Sequence, residues 1–171
     1  SLHDALPILP HHWQKLLVEE ELFKSSLEYT ILQPAAYMQN ILGYHKSIQS
    51  GIFPVPYSPE ALISLVDLRD IAAVALLVLK NENFINGIYE LAGTTPLSQY
   101  EVADELTKVL ERKISVDVIN RNQWENNAIN SGMADYPRKT LLSMFEYYEQ
   151  HGLKGSPTTL SYLLGRNPIT I

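Results

Sequence analysis

Between Pro10 and Phe23 apolar residues return at intervals of three and four. Trp13, Leu16, Leu17 and Phe23, joined by Glu20, trace one side of a helix. Pro10 opens it at a position where a missing N–H costs nothing, and Ser25-Ser26 closes it. Tyr29 to Gln33 is a short β-rich run stopped by Pro34, suited to a buried strand. A helix is expected from about Ala36 to Ser50, ended by Gly51. Ile52 to Ser58 carries Pro54 and Pro56 and runs into Pro59, so it reads as an edge segment or loop, because proline cannot donate to a central ladder.

Ile63 to Val66 predicts a second short strand. Asp67 then caps an apolar helix over Leu68–Lys80, with Asp70 favourably placed in its first turn. Asn86-Gly87 turns the chain into a strand over Ile88–Ala92. Ser98 and Glu101 have capping-box spacing ahead of a helix ending near Arg112, and Ile114 to Ile119 alternates like a half-exposed strand. From Asn122 the pattern predicts three helices punctuated by Gly132, Pro137, Gly152 and Pro157. Strands alternating with helices predict an α/β fold with parallel strands, followed by a mainly helical lobe over roughly residues 120–171.

Composition narrows the functions. The 171 residues are 46% hydrophobic and 19% charged, as in a soluble globular chain able to bury a core. A net charge of −6 gives no general attraction for phosphate backbones, which argues against direct nucleic-acid binding. The absence of cysteine removes disulfides, thiolate nucleophiles and cysteine-based zinc sites. The longest apolar run, Ile71 to Leu79, is about half of what a bilayer-spanning helix needs, and no basic stretch leads into an apolar one at the N-terminus. A cytoplasmic protein without membrane association is the expectation. Ser1 to Ile8 shows no periodicity and matches the translation of a widely used sequencing-library adapter, so residues 1–8 are expected to be non-native and residues 9–171 to carry the fold.

Four runs give the chain a family look: His11-His-Trp-Gln-Lys-Leu-Leu-Val-Glu-Glu20, Tyr29-Thr-Ile-Leu-Gln-Pro-Ala-Ala-Tyr-Met-Gln-Asn40, Ser64-Leu-Val-Asp-Leu-Arg-Asp-Ile-Ala-Ala73 and Tyr89-Glu-Leu-Ala-Gly93. With the closing Leu164-Gly-Arg-Asn-Pro168 they resemble the C-terminal portion of the NmrA-like family of atypical short-chain dehydrogenases/reductases. The resemblance implies a Rossmann-like parallel sheet that binds NAD(P)(H) at the C-terminal ends of its strands. By the resemblance, Tyr29–Gln33 and Ile88–Ala92 would be the sixth and seventh strands. It also implies one of two roles: an NAD(P)H-dependent reductase of small carbonyl or quinone substrates, or a non-catalytic dinucleotide sensor acting through a protein partner. Phosphate cradling needs closely spaced glycines between a strand and a helix. Of the eight glycines only Gly152 and Gly155 lie close together, and they follow a predicted helix. The phosphate-binding loop is missing from this sequence, so these residues alone are expected to be inactive.

His11 and Lys15 stand four apart and share one helix face. Short-chain dehydrogenases place tyrosine and lysine at that spacing, and the resemblance implies that Lys15 holds the nicotinamide ribose. Histidine in the tyrosine position leaves catalysis open, with His11 as the candidate acid. Pro34, Tyr37 and Asn40 follow the predicted strand, where cofactor (Pro34, Tyr37) and substrate (Tyr37, Asn40) are expected; helix packing is the alternative. Asp67 and Asp70 suggest a metal pair, but capping explains both without an ion, and no metal is expected. Trp124, Tyr136, Met144, Phe145, Tyr147 and Tyr148 line either a substrate cleft or, the favoured reading, the core of the helical lobe.

Overall fold

A computed structural model describes residues 9–171, apart from the side chains of Pro10 and His11. The expectation for Ser1–Ile8 lies outside the described residues. The chain forms two compact units, one from the described residues up to Asn40 with Ser64–Pro96 and Leu153–Thr170, the other from Ile41–Ile63, Leu97–Gly152 and Ile171. The fold is α/β with parallel strand pairs, as the alternating pattern predicts.

In the first unit, α1 (Pro10–Lys24) leads to β1 (Thr30–Pro34), which pairs in parallel with β5 (Gly87–Leu91), from Thr30 opposite Gly87 to Pro34 opposite Leu91. Asn86 turns the chain into β5 with a φ of 60°, and its N–H donates to the Tyr29 carbonyl at 2.6 Å. The mostly apolar side traced in the sequence is not the buried one: Trp13, Leu17 and Phe23 are exposed, while Leu16 is half-buried and Glu19 buried. One tie from this helix to β1 is polar. Gln33 on β1 donates its amide to both Glu19 carboxylate oxygens, at 3.1 and 3.2 Å. A partnered carboxylate can be buried where an unpartnered one cannot.

The helix expected over Ala36–Ser50 is broken into three pieces. Ala36–Tyr37 forms β2, paired in parallel with β4 (Leu65–Val66); Met38–Tyr44 is a 3-10 turn, and only His45–Gln49 is α-helical (α2). Backbone pairing with β4, distant in sequence, overrides the local helical pattern at Ala36 and Tyr37. The helix α3 (Leu68–Leu79) starts at Asp67 as read, with the Asp67 side chain accepting from the Arg69 N–H.

Two fully buried polar side chains fasten the C-terminal segment to this unit. Ser64 donates to the Gly155 carbonyl at 3.1 Å and accepts from the Gly155 N–H at 3.0 Å. Asp70, 0% exposed, accepts from the Arg166 guanidinium at 2.6 Å and from the Ile169 N–H at 2.7 Å. Between these clamps α7 (Thr158–Leu164) packs on α3 and β5.

In the second unit, β3 (Ile52–Val55) pairs in parallel with β6 (Ser115–Val118), and Pro54 sits opposite Asp117. The ladder has two strands, so each is an edge and Pro54 is tolerated, as its sequence position implies. The helix α4 (Gln99–Leu110) carries the complete Ser98/Glu101 capping box and packs on β6. Next come α5 (Arg121–Asn130) and α6 (Asp135–His151). Pro137 does not punctuate two helices but lies in the first turn of α6, where its missing N–H breaks no helical bond. The aromatic residues read as core are largely that: Phe145, Tyr147 and Tyr148 are buried, whereas Tyr136 is exposed. No described helix is long and apolar enough to cross a membrane.

Candidate functional site

Two contacts set the direction of α1 against β1. Phe23, near the end of α1, meets Tyr29 just before β1, with ring centroids 5.5 Å apart. Glu19, one turn earlier on the helix, meets Gln33, four residues further along the chain. Helix and strand therefore run antiparallel. Moving back along α1 is moving toward the C-terminal end of β1. Lys15 lies one more turn in that direction, about 6 Å beyond Glu19. Its side chain is exposed and has no partner among the described residues. His11 is a further turn on, in the first turn of α1, and its side chain lies outside the described ones.

Pro34 ends β1, and the next residue continues the tie to β5 through Ala35 N–H to the Leu91 carbonyl at 2.9 Å. Tyr37 follows in β2 with its side chain 39% exposed, and Asn40 is exposed in the 3-10 turn. Neither has a side-chain partner among the described residues. The side chain between them is fully engaged. Gln39 donates to Asp67 Oδ2 at 3.1 Å, and its own carbonyl accepts from the Leu68 N–H at 3.2 Å. Arg69 adds two bonds to the same Asp67 carboxylate, at 2.9 Å each. These guanidinium bonds, more than any other contact, hold the Asp67 carboxyl well below the usual carboxylate range.

The loop after β5 closes on the same strand ends. Gly93 and Thr94 donate their N–H groups to the Leu65 carbonyl, at 2.7 and 3.0 Å, and Leu65 N–H returns a bond to Thr94 Oγ1 at 2.9 Å. A Cβ on Gly93 would stand 3.1 Å from the Leu65 carbonyl oxygen and 3.3 Å from the Val66 Cα, so glycine permits this approach. Pro34, Tyr37 and Asn40 thus follow one another from the C-terminal end of β1, and Lys15 lies in the N-terminal part of α1, the part nearer that end.

Sequence reasoning missed Gln39, Ser64 and Thr94, whose roles depend on partners distant in the chain. The signal available was that Gln39 and Ser64 lie inside the runs carrying the family look. Asp67 and Asp70 are consumed by capping and by the C-terminal clamp, and no trio of His, Cys, Asp or Glu able to hold a metal occurs among the described residues.

The second unit carries a separate cleft of about 490 Å³, bounded by Ile52 and Pro54 of β3, Asp117 of β6, Trp124 and Asn127 of α5, and Tyr44. Trp124 is braced edge-on by Phe145, at 4.8 Å and 88°, and Tyr44 by Phe53, at 6.0 Å and 76°. Burial pushes the Tyr44 hydroxyl above the ordinary phenol value.

Similarity to known proteins agrees with this architecture. The NAD(P)H azoreductase of Xenophilus azovorans is 29% identical over 149 residues, covering 86% of this chain and 52% of that protein. Quinone oxidoreductase 2 of Escherichia coli is 25% identical over 154 residues, covering 90% and 54%. The chain spans about half the length of the curated relatives it matches. Among solved structures, the NADPH-dependent quinone oxidoreductase QOR2 of Escherichia coli, complexed with NADPH, has a TM-score of 0.82 at 24% identity, over 95% of this chain and 58% of that one. The triphenylmethane reductase of Citrobacter sp., complexed with NADP(H), has a TM-score of 0.79 at 21% identity, over 95% and 57%. At these identities the two structures establish the fold. The model of the NmrA-like family matches residues 1–165, and the chain belongs to that family.

Proposed function

We propose that this chain supplies the nicotinamide end of an NAD(P)H-dependent reductase acting on small quinone or carbonyl substrates. The observation that carries the reading is the antiparallel docking of α1 on β1, which directs Lys15 toward the strand end bearing Pro34, Tyr37 and Asn40. Parallel α/β sheets bind their ligands at that end. The activities of the relatives, an NAD(P)H azoreductase and a quinone oxidoreductase, point the same way.

The residues present suit one half of the cofactor. Lys15, Tyr37 and Asn40 are exposed polar groups without partners among the described residues, as a ribose and a planar amide-bearing ring require. The pyrophosphate has no such provision. Gly152 and Gly155 follow α6, and no closely spaced pair of glycines lies between a strand and a helix among the described residues. We infer that the phosphates are held by polypeptide outside these 171 residues, the chain being the C-terminal part of a longer reductase.

When bound, the reduced nicotinamide supplies hydride to the substrate. The chain's own residues position and protonate. The Lys15 ammonium donates to the ribose hydroxyls and fixes the ring's reach. Pro34 offers an apolar wall with no N–H to compete for polar atoms. Tyr37 covers the ring and substrate, and the Asn40 amide orients the substrate oxygen. His11, four residues before Lys15 in the sequence, is the candidate donor of that oxygen's proton.

Histidine where short-chain dehydrogenases carry tyrosine favours a second reading, a dinucleotide sensor without turnover. A protein carrying this chain behind a complete phosphate-binding half separates the two. Steady-state quinone reduction with NADPH is expected, and Lys15→Ala weakens NADPH binding several-fold. Tight NADPH binding without reduction of any quinone would establish the sensor. An unchanged dissociation constant would remove Lys15 from the site.

A further inference from the structure

We propose that the cleft of the second unit, between β3, β6 and α5, is a binding site for a flat aromatic cation. The inference goes beyond the reductase reading and does not depend on it, because every residue of the cleft belongs to the second unit. Its volume of about 490 Å³ falls within the range of small-molecule sites.

Charge selects the ligand. Among the described residues, Asp117 is the one carboxylate lining the cleft, and no lysine, arginine or histidine lines it. Asp117 is exposed and has no hydrogen-bond or ion-pair partner among the described residues. Of the arginines nearby, Arg121 is paired with Glu149 and Arg138 with Glu125 and Asp135, while Arg112 is spent on the Ile48 and Gln49 carbonyls and does not line the cleft. An anion entering the cleft would meet a carboxylate with no cationic side chain among the described lining residues to offset it. A cation would neutralise it.

Shape and walls set the rest. Trp124 and Tyr44 present aromatic surface, each fixed by an edge-on neighbour, so the walls are preorganised. Aromatic faces attract cations through their quadrupole, and a flat ring system buries more surface against them than a compact ammonium does. Ile52 and Pro54 add an apolar floor. The Tyr44 hydroxyl, the Trp124 Nε1–H and the Asn127 amide have no partners among the described residues and remain available to a heteroatom.

Calorimetric titration of the 171-residue chain near pH 8 compares three probes of similar size. They are N-methylquinolinium (cationic), quinoline (neutral) and quinoline-2-carboxylate (anionic). N-methylquinolinium is expected to saturate a single site at least about fivefold more tightly than quinoline, with the carboxylate weakest. Asp117→Asn removes an exposed, unbonded charge without disturbing packing. It is expected to bring the cation to within about twofold of quinoline, while Asp117→Glu keeps the preference. Equal binding of the three probes, binding that does not saturate, or a preference that survives Asp117→Asn would each overturn the proposal.

Discussion

The two units differ in the ties that stand out in each. The first is fastened by buried polar groups that reach across the sequence: Glu19 to Gln33, Gln39 to Asp67 and Leu68, Ser64 to Gly155, Asp70 to Arg166 and Ile169. The second is built on aromatic rings, with Phe145 against Trp124 at 4.8 Å and Tyr57 at 5.8 Å, and Tyr57 against Tyr148 at 5.7 Å. The contrast has a functional logic. Directional hydrogen bonds fix backbone at the strand ends to a fraction of an ångström, which a cofactor edge needs. Aromatic packing tolerates irregular walls, as a ligand cleft does.

The largest effect is expected in the second unit. Phe145→Ala removes a buried ring touching two others and should cost about 3–5 kcal/mol in urea unfolding. A loss below about 1 kcal/mol would show that the aromatic cluster does not hold this unit. In the first unit, Asp70→Ala leaves the Ile169 N–H unpartnered and strips Arg166 of its counter-charge. Arg166 is itself half-exposed, so the loss should be smaller, about 2–3 kcal/mol. Arg166→Ala should cost less than Asp70→Ala, and the reverse order would contradict the clamp. Ser98→Ala, which opens one capping box at the start of α4, should cost about 1 kcal/mol by the same measurement.

Acid and alkali should separate the units. The Asp67 carboxyl is held low by Arg69, so its contribution is fully present above the ordinary carboxylate value of about 3.9 and is lost as the pH falls from there toward the lower folded value. The stability difference between the native chain and Asp67→Asn should stay constant above about pH 4 and shrink as the pH falls below it. Burial holds the Tyr57 and Tyr148 hydroxyls above the ordinary phenol value of about 10, so their contribution is present below pH ~10 and lost as the pH rises further. Side-chain resonances of the second unit should therefore broaden first in alkali.

What could be read from the sequence follows this division. Elements governed by local chemistry were legible: the Asp67 cap, the Ser98/Glu101 box, α3, and the parallel strands around Ile31 and Ile88. The features that misled depend on distant partners. Ala36 and Tyr37 carry a helical pattern yet join β4, nearly thirty residues on. The buried side of α1 is marked by Glu19, which periodicity of apolar residues cannot flag. Pro34, Tyr37 and Asn40 were visible because they directly follow a recognisable strand, whereas Gln39, between them, shows its role only once Asp67 is beside it.

The central claim is tested most directly by NMR titration of the chain with reduced nicotinamide mononucleotide and with NADPH. If only the nicotinamide half of the pocket is present, both ligands bind at millimolar strength or weaker, with similar affinity, and the shifted resonances cluster at Lys15, Tyr37 and Asn40. Micromolar binding of NADPH, or shifts that leave those three residues untouched, would contradict the account.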